Sequence, residues 1–136
     1  MKSSFVLKII TPFGIYLNEE VEYLSVQAPH SVLGILPNHA ELVSTVLISE
    51  MKIRINGTYF YYAISDGVLH VKKNETILLL NSIERADEID VDRANKAKER
   101  AEQRLLRKYD DEEVDVIRAE SALKRALNRI NVATKL

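Results

Sequence analysis

Apolar and polar positions alternate with period two through the first part of the chain. After Ile89-Asp90-Val91-Asp92-Arg93-Ala94 the apolar residues recur every three or four positions instead. Phe5 to Ile10 reads as a first strand, closed by the turn-forming Thr11-Pro12-Phe13-Gly14, and Ile15-Tyr16-Leu17 resumes extended structure. Val21 to Val26 is a further strand. Ala28 to Ala40 reads as a long connection that packs, because Val32, Leu33, Ile35 and Leu36 are apolar. Leu42 to Leu47 and Met51 to Ile55 follow as strands, and Asn56-Gly57 is a hairpin signal that sends Thr58 to Ile64 back antiparallel. Asp66-Gly67 turns into Val68 to Lys72, and Lys73-Asn74-Glu75 reverses into Thr76 to Leu80. Many short strands at this spacing predict a β-sandwich or barrel.

From Asn81 onward the pattern predicts helix, and no Gly or Pro follows Gly67. Asp90 is the natural N-cap, since its carboxylate can accept from first-turn amides, and Asp92 adds charge that suits the positive end of the helix dipole. Ala94, Ala97, Ala101 and Leu105 form one stripe, flanked by the i, i+4 pairs Asp92/Lys96 and Lys98/Glu102. Lys108-Tyr109-Asp110-Asp111 breaks the period and offers a carboxylate cap for a second helix, with the stripe Val116, Ala119, Leu123, Ala126 and Ile130. A short connection predicts an antiparallel helical hairpin, residues 87–136, appended to a β domain of residues 1–86. A stripe of alanine buries little area at about 25 cal/mol per Å². Its docking is therefore expected to be weak and the hairpin movable.

Composition narrows the function. The 136 residues are 46% hydrophobic and 29% charged with a net charge of −1, so no global field favours nucleic acid or an anionic membrane. Cysteine is absent, which excludes disulfide frameworks and thiolate chemistry and suits an intracellular setting. No apolar run approaches the roughly 20 residues that span a bilayer, and no signal-peptide pattern opens the chain. The expectation is a chain neither membrane-spanning nor exported.

Candidate chemistry is sparse. Arg93 and Arg100 share a face of the first helix, and Arg125 and Arg129 share one of the second. They are either solvated arginines paired with nearby acids, or guanidiniums converging on an anion through charge-assisted hydrogen bonds. His30, His39 and His70 lack metal-ligand spacing, and the glycines form no phosphate-cradling loop. Asp90/Asp92 and Asp110/Asp111/Glu112/Glu113 are explained by helix starts, and Ser65 has no nucleophile-elbow context. No catalytic constellation emerges, so an enzyme is not expected.

Three stretches resemble the epsilon subunit of F-type ATP synthases, in its Bacillus-like, ATP-binding type. They are Gly34-Ile35-Leu36-Pro37-Asn38-His39-Ala40, Ile64-Ser65-Asp66-Gly67-Val68-Leu69-His70-Val71, and the run from Glu84 to Ala94. Asn38 and Asp66 stand where that family commonly has Gly, and both side chains tolerate left-handed backbone. The resemblance implies an N-terminal sandwich of about ten strands followed by an antiparallel two-helix hairpin. It implies a non-catalytic central-stalk rotor subunit that holds the gamma subunit and the c-ring and couples ion flow to ATP synthesis. It further implies a hairpin that reaches the catalytic alpha and beta subunits when extended and binds regulatory ATP when folded down.

Carried over by motif, the ATP site comprises Glu84, Ile89, Asp90, Arg93, Ala94, Arg100, Arg125 and Arg129. ATP is a regulatory ligand here, with no catalytic cofactor. The location implied is the cytoplasmic face of the bacterial plasma membrane, reached only through partners. The alternative is a freestanding adaptor whose Arg-rich hairpin binds nucleic acid or another anionic partner; its affinity for a short duplex must fall steeply with salt.

Overall fold

The computed structural model describes residues 3–107 and 115–135. Two compact units divide the chain at residues 85 and 86. The first contains β1 (Phe5–Thr11), β2 (Gly14–Val21), β3 (Tyr23–Gln27), β4 (Val32–Ile35), β5 (Leu42–Val46), β6 (Ser49–Ile55), β7 (Thr58–Ile64), β8 (Gly67–Val71), β9 (Thr76–Leu80) and β10 (Ile83–Arg85). They form two five-stranded sheets, in the orders β2-β1-β9-β8-β5 and β10-β7-β6-β3-β4. The fold is the expected sandwich.

Inward-facing positions explain why the sheets pack. Leu7, Ile9, Val46, Leu69, Val71, Leu78 and Leu80 from the first sheet meet Leu24, Val26, Ile35, Met51, Ile53, Tyr62 and Ile64 from the second. Each strand supplies alternate residues to this core, as the period-two pleat requires. β1 runs parallel to β9, from Leu7 beside Thr76 to Ile10 beside Leu79, joining the start of the unit to its end. A bulge between Ile9 and Ile10 shifts the β1–β2 register, Ile9 facing Leu17 and Ile10 facing Ile15. The Tyr16 ring stands edge-on to that of Tyr62, 6.3 Å between centroids.

Some local expectations change. The connection expected over Ala28 to Ala40 contains β4, whose Leu24↔Ile35 to Gln27↔Val32 register extends the second sheet. Only four residues long and interrupted by Gly34, it offers too little alternation to be read as a strand. The run Val21 to Val26 is two elements, broken at Glu22 where the chain passes from one sheet to the other. Asp66-Gly67, expected as a tight turn, links β7 to β8 across the two sheets. After Asn81, where helix was expected, β10 first pairs with β7. Asn38 takes left-handed backbone at φ 66, whereas Asp66 does not.

Gly67 is the tightest point described. A Cβ there would lie 1.9 Å from the Leu79 carbonyl oxygen, and the β8–β9 ladder fixes both backbones. Gly67→Ala is expected to cost about 3 kcal/mol or more of unfolding free energy through overpacking. Gly57→Ala, at φ 78 with open space around it, should cost only about 1–2 kcal/mol of left-handed strain. Urea titration monitored by circular dichroism measures both, and equal losses would contradict the close fit at Gly67.

Candidate functional site: an arginine-lined helical hairpin

The second unit begins with a 3-10 turn at Ala86–Glu88, followed by α1 (Val91–Leu106) and α2 (Val116–Ala133), which lie against one another. Asp90 caps α1: its carboxylate oxygen accepts from the Arg93 amide at 3.0 Å. Asp115 caps α2 in the same way, accepting from the Arg118 amide at 3.0 Å. The cap expected among Asp110 and Asp111 lies outside the described residues. Asp115 immediately precedes α2, so its side chain is the one in reach of the first-turn amides.

The two starts share more than a cap. Asp90-Val91-Asp92-Arg93-Ala94 and Asp115-Val116-Ile117-Arg118-Ala119 have the same form, and each is followed by a second Arg-Ala pair, Arg100-Ala101 and Arg125-Ala126. Ala94, Ala101, Ala119 and Ala126 are all buried, each at 2% exposure or less. These alanines form the seam, and the residue before each of them is an arginine.

Helical geometry turns that spacing into a surface. One residue is 100° of rotation, so Arg93, Arg100, Arg118 and Arg125 all lie the same way round from the seam. In an antiparallel pair, positions that precede the seam on one helix fall on the same side as those that precede it on the other. Arg104 and Arg129 follow seam alanines by three residues and join that side. Arg93, Arg100, Arg104, Arg118 and Arg125 are exposed, while Arg129 is half-buried. The residues that follow the seam alanines by one are Asn95, Glu102, Glu120 and Leu127, none of them basic. The arginines thus gather on one side of the hairpin, while the other carries Glu102 and Glu120 together with Lys98.

Among the residues expected to bind ligand, Asp90 and Arg93 are in direct contact through the cap. Arg100, Arg125 and Arg129 share the basic side. Ala94 is buried in the seam, and Ile89, just before the cap, is buried too. Glu84 lies on β10 of the first unit, opposite Ala63 of β7. Arg118 was missed because the arginine pairs were chosen by spacing within one helix; the repeated Asp-Val-x-Arg-Ala start is the signal that finds it.

Among the described residues no three His, Cys, Asp or Glu side chains gather to hold an ion. His39 Nδ1–H donates to the Ala40 carbonyl at 2.7 Å, His70 points outward from β8, and His30 lies in the β3–β4 turn. No described helix is long and apolar enough to cross a membrane.

Comparison with known proteins covers both units. Residues 4–86 match the family described as ATP synthase, Delta/Epsilon chain, beta-sandwich domain, and residues 87–134 match its long alpha-helix domain. The chain is 42% identical over 127 residues to the ATP synthase epsilon chain of Desulforamulus reducens, covering 93% of this chain and 95% of that one. It is 43% identical over 130 residues to the epsilon chain of Bacillus cytotoxicus, covering 96% of each. Among solved structures, a chain of the Euglena gracilis mitochondrial ATP synthase OSCP/F1/c-ring complex superposes with a TM-score of 0.82 at 22% identity, covering 100% of this chain and 84% of that one. One from the Tetrahymena thermophila central stalk and c-ring gives 0.61 at 15% identity, covering 98% and 96%. At such identities the structural matches speak for the fold alone.

The caps carry a stability prediction. Asp90→Ala and Asp115→Ala each leave first-turn amides unsatisfied and should each cost about 1 kcal/mol. Thermal unfolding followed at the helical circular dichroism band measures this, and no change in either variant would contradict the capping geometry.

Proposed function

The chain belongs to the ATP synthase delta/epsilon family, and from that premise we propose that it is the epsilon subunit of an F-type enzyme whose hairpin senses ATP. In this role it performs no chemistry; it sits in the central stalk and transmits rotation between the c-ring and the gamma subunit. It is held at the cytoplasmic face of the bacterial plasma membrane through those partners.

The sandwich supports a docking role. Ile10 lies beside Ile15 on β2 and beside Leu79 on β9, and Leu79 faces Val68 on β8. Ile15, Val68, Leu79 and, on β5, Val43 are exposed at 59%, 39%, 46% and 67%. An apolar row of this length across four strands is the kind of surface that a partner subunit covers. We assign this face to gamma.

The hairpin supports the sensing role, and the observation that carries it is the arginine that precedes every buried seam alanine on both helices. Like charges on one side of a weakly packed pair repel, and the triphosphate of ATP converts that repulsion into charge-assisted hydrogen bonds. Arginines of both helices reach one ligand only when the helices lie together, so ATP shifts the population toward the folded hairpin. At a concentration 100 times its dissociation constant a ligand adds about 2.7 kcal/mol to the state it binds. When ATP is scarce the hairpin opens, extends along gamma toward the catalytic alpha and beta subunits, and restrains hydrolysis. ATP is therefore a signal and not a substrate.

Two experiments test these roles. By calorimetry, Arg93→Ala or Arg125→Ala should weaken ATP binding at least about tenfold, the loss of a charged hydrogen bond, while Glu102→Ala on the opposite side leaves it unchanged. Wild-type affinity in both arginine variants would sink the sensing role, and salt-sensitive binding of a short duplex would favour the adaptor. Separately, Leu79→Asp should abolish capture of gamma by the tagged chain; undiminished capture would remove that face from the interface.

A further inference from the structure

The β6–β7 turn is exposed, and both of its central residues hold left-handed backbone, Asn56 at φ 49 and Gly57 at φ 78. Those dihedrals make a type I′ turn, for which Asn-Gly is the favoured pair. Asn-Gly is also the pair in which a main-chain nitrogen most readily attacks the preceding side-chain amide, because Gly has no Cβ to obstruct the approach. One contact bears directly on that nitrogen. The Gly57 amide donates to Glu22 Oε1 at 2.8 Å.

Glu22 is itself held from several directions. It occupies the corner between β2 and β3, and its own amide donates to the Arg54 carbonyl at 2.8 Å. Arg54 Nε lies 3.5 Å from the same carboxylate oxygen, and the Arg54 guanidinium stands over the Tyr59 ring at 5.7 Å. The carboxylate is therefore positioned against the turn by fixed backbone and by a cation that is itself stacked.

We propose that Asn56 is a self-modification site, deamidating through a succinimide, and that Glu22 is the residue that slows this in the folded chain. The Gly57 nitrogen loses its proton and bonds to Asn56 Cγ, the Cγ–NH2 bond breaks, and ammonia leaves with the proton. Water then opens the ring. Cleavage at Cγ leaves aspartate, and cleavage at the main-chain carbonyl leaves isoaspartate; no oxidant or reductant enters. Glu22 opposes the first step twice over. Its charge disfavours the negative nitrogen that must form, and its hydrogen bond keeps the N–H turned toward the carboxylate.

Either product adds a negative charge to a chain whose formal net charge is −1. That charge appears beside Glu22, where like charges repel. Isoaspartate also lengthens the backbone by one carbon within a turn that joins Ile55 to its partner Thr58. The modification is thus an irreversible mark of age on the tip of one hairpin, timed by a residue that is distant in sequence.

The test is peptide mapping by mass spectrometry of the full chain aged in mildly alkaline buffer. The amide-to-acid mass gain is followed at Asn56 and, as an internal reference, at Asn81-Ser82. Glu22→Ala is expected to convert Asn56 at least about fivefold faster than wild type, the effect of removing one charged hydrogen bond. Glu22→Gln, which keeps an acceptor oxygen without the charge, should fall between, with Asn81 unchanged. The wild type in urea should convert faster than the folded wild type. Should Glu22→Ala accelerate both asparagines by loosening the fold, Glu22→Gln decides. Equal Asn56 rates in wild type and Glu22→Gln, or equal rates for wild type folded and in urea, overturn the proposal.

Discussion

Four of the buried positions where α1 meets α2 are alanines, which let the helices approach closely but remove less apolar surface from water than larger side chains would. Ala94, Ala101, Ala119 and Ala126 are buried, yet each contributes one methyl group. A leucine seam would bury several-fold more at about 25 cal/mol per Å² and would lock the hairpin whatever its ligands. With alanine, small free energies become decisive. In the proposed sensing role, the arginines set one residue before each seam alanine repel one another when alone and are drawn together around an anion.

The first unit is built on the opposite principle. Large aliphatic side chains from both sheets interlock, and the parallel pairing of β1 with β9 ties together residues far apart in sequence. A unit closed in this way has no comparably soft joint. It can present a fixed outer face, from Ile15 through Leu79 to Val68, to whatever covers it.

The fold was legible where local chemistry was strong. Asn56-Gly57 adopts the backbone its residues favour, Met51 to Ile55 alternates as it must, and Asp90 caps the helix it precedes. β4 and β10 were not legible, because four and three residues offer too little period and their pairing with β3 and β7 is decided by the sheet. The N-cap of α2 is Asp115, which the repeated Asp-Val-x-Arg-Ala start picks out among the carboxylates that precede that helix.

The candidate site was half legible. Spacing alone put Arg93 with Arg100 and Arg125 with Arg129, but only the burial of the adjacent alanines shows which way round the helices those pairs face. That placement brought in Arg104 and Arg118 and put Glu102 and Glu120 on the other side. It also shows Ala94 and Ile89 to be buried. The contribution of Glu84, on a strand of the other unit, belongs to the family resemblance and not to this geometry.

A pair of spin labels at Glu102 and Glu120, both on the side away from the arginines, reads the separation of α1 and α2 without touching the basic surface. Distance measurements on the isolated full chain should give a broad distribution without ATP, collapsing to one short, narrow separation when ATP saturates. An identical distribution with and without ATP, whether short or long, would contradict the account, because the ligand would then have no differential hold on the folded hairpin.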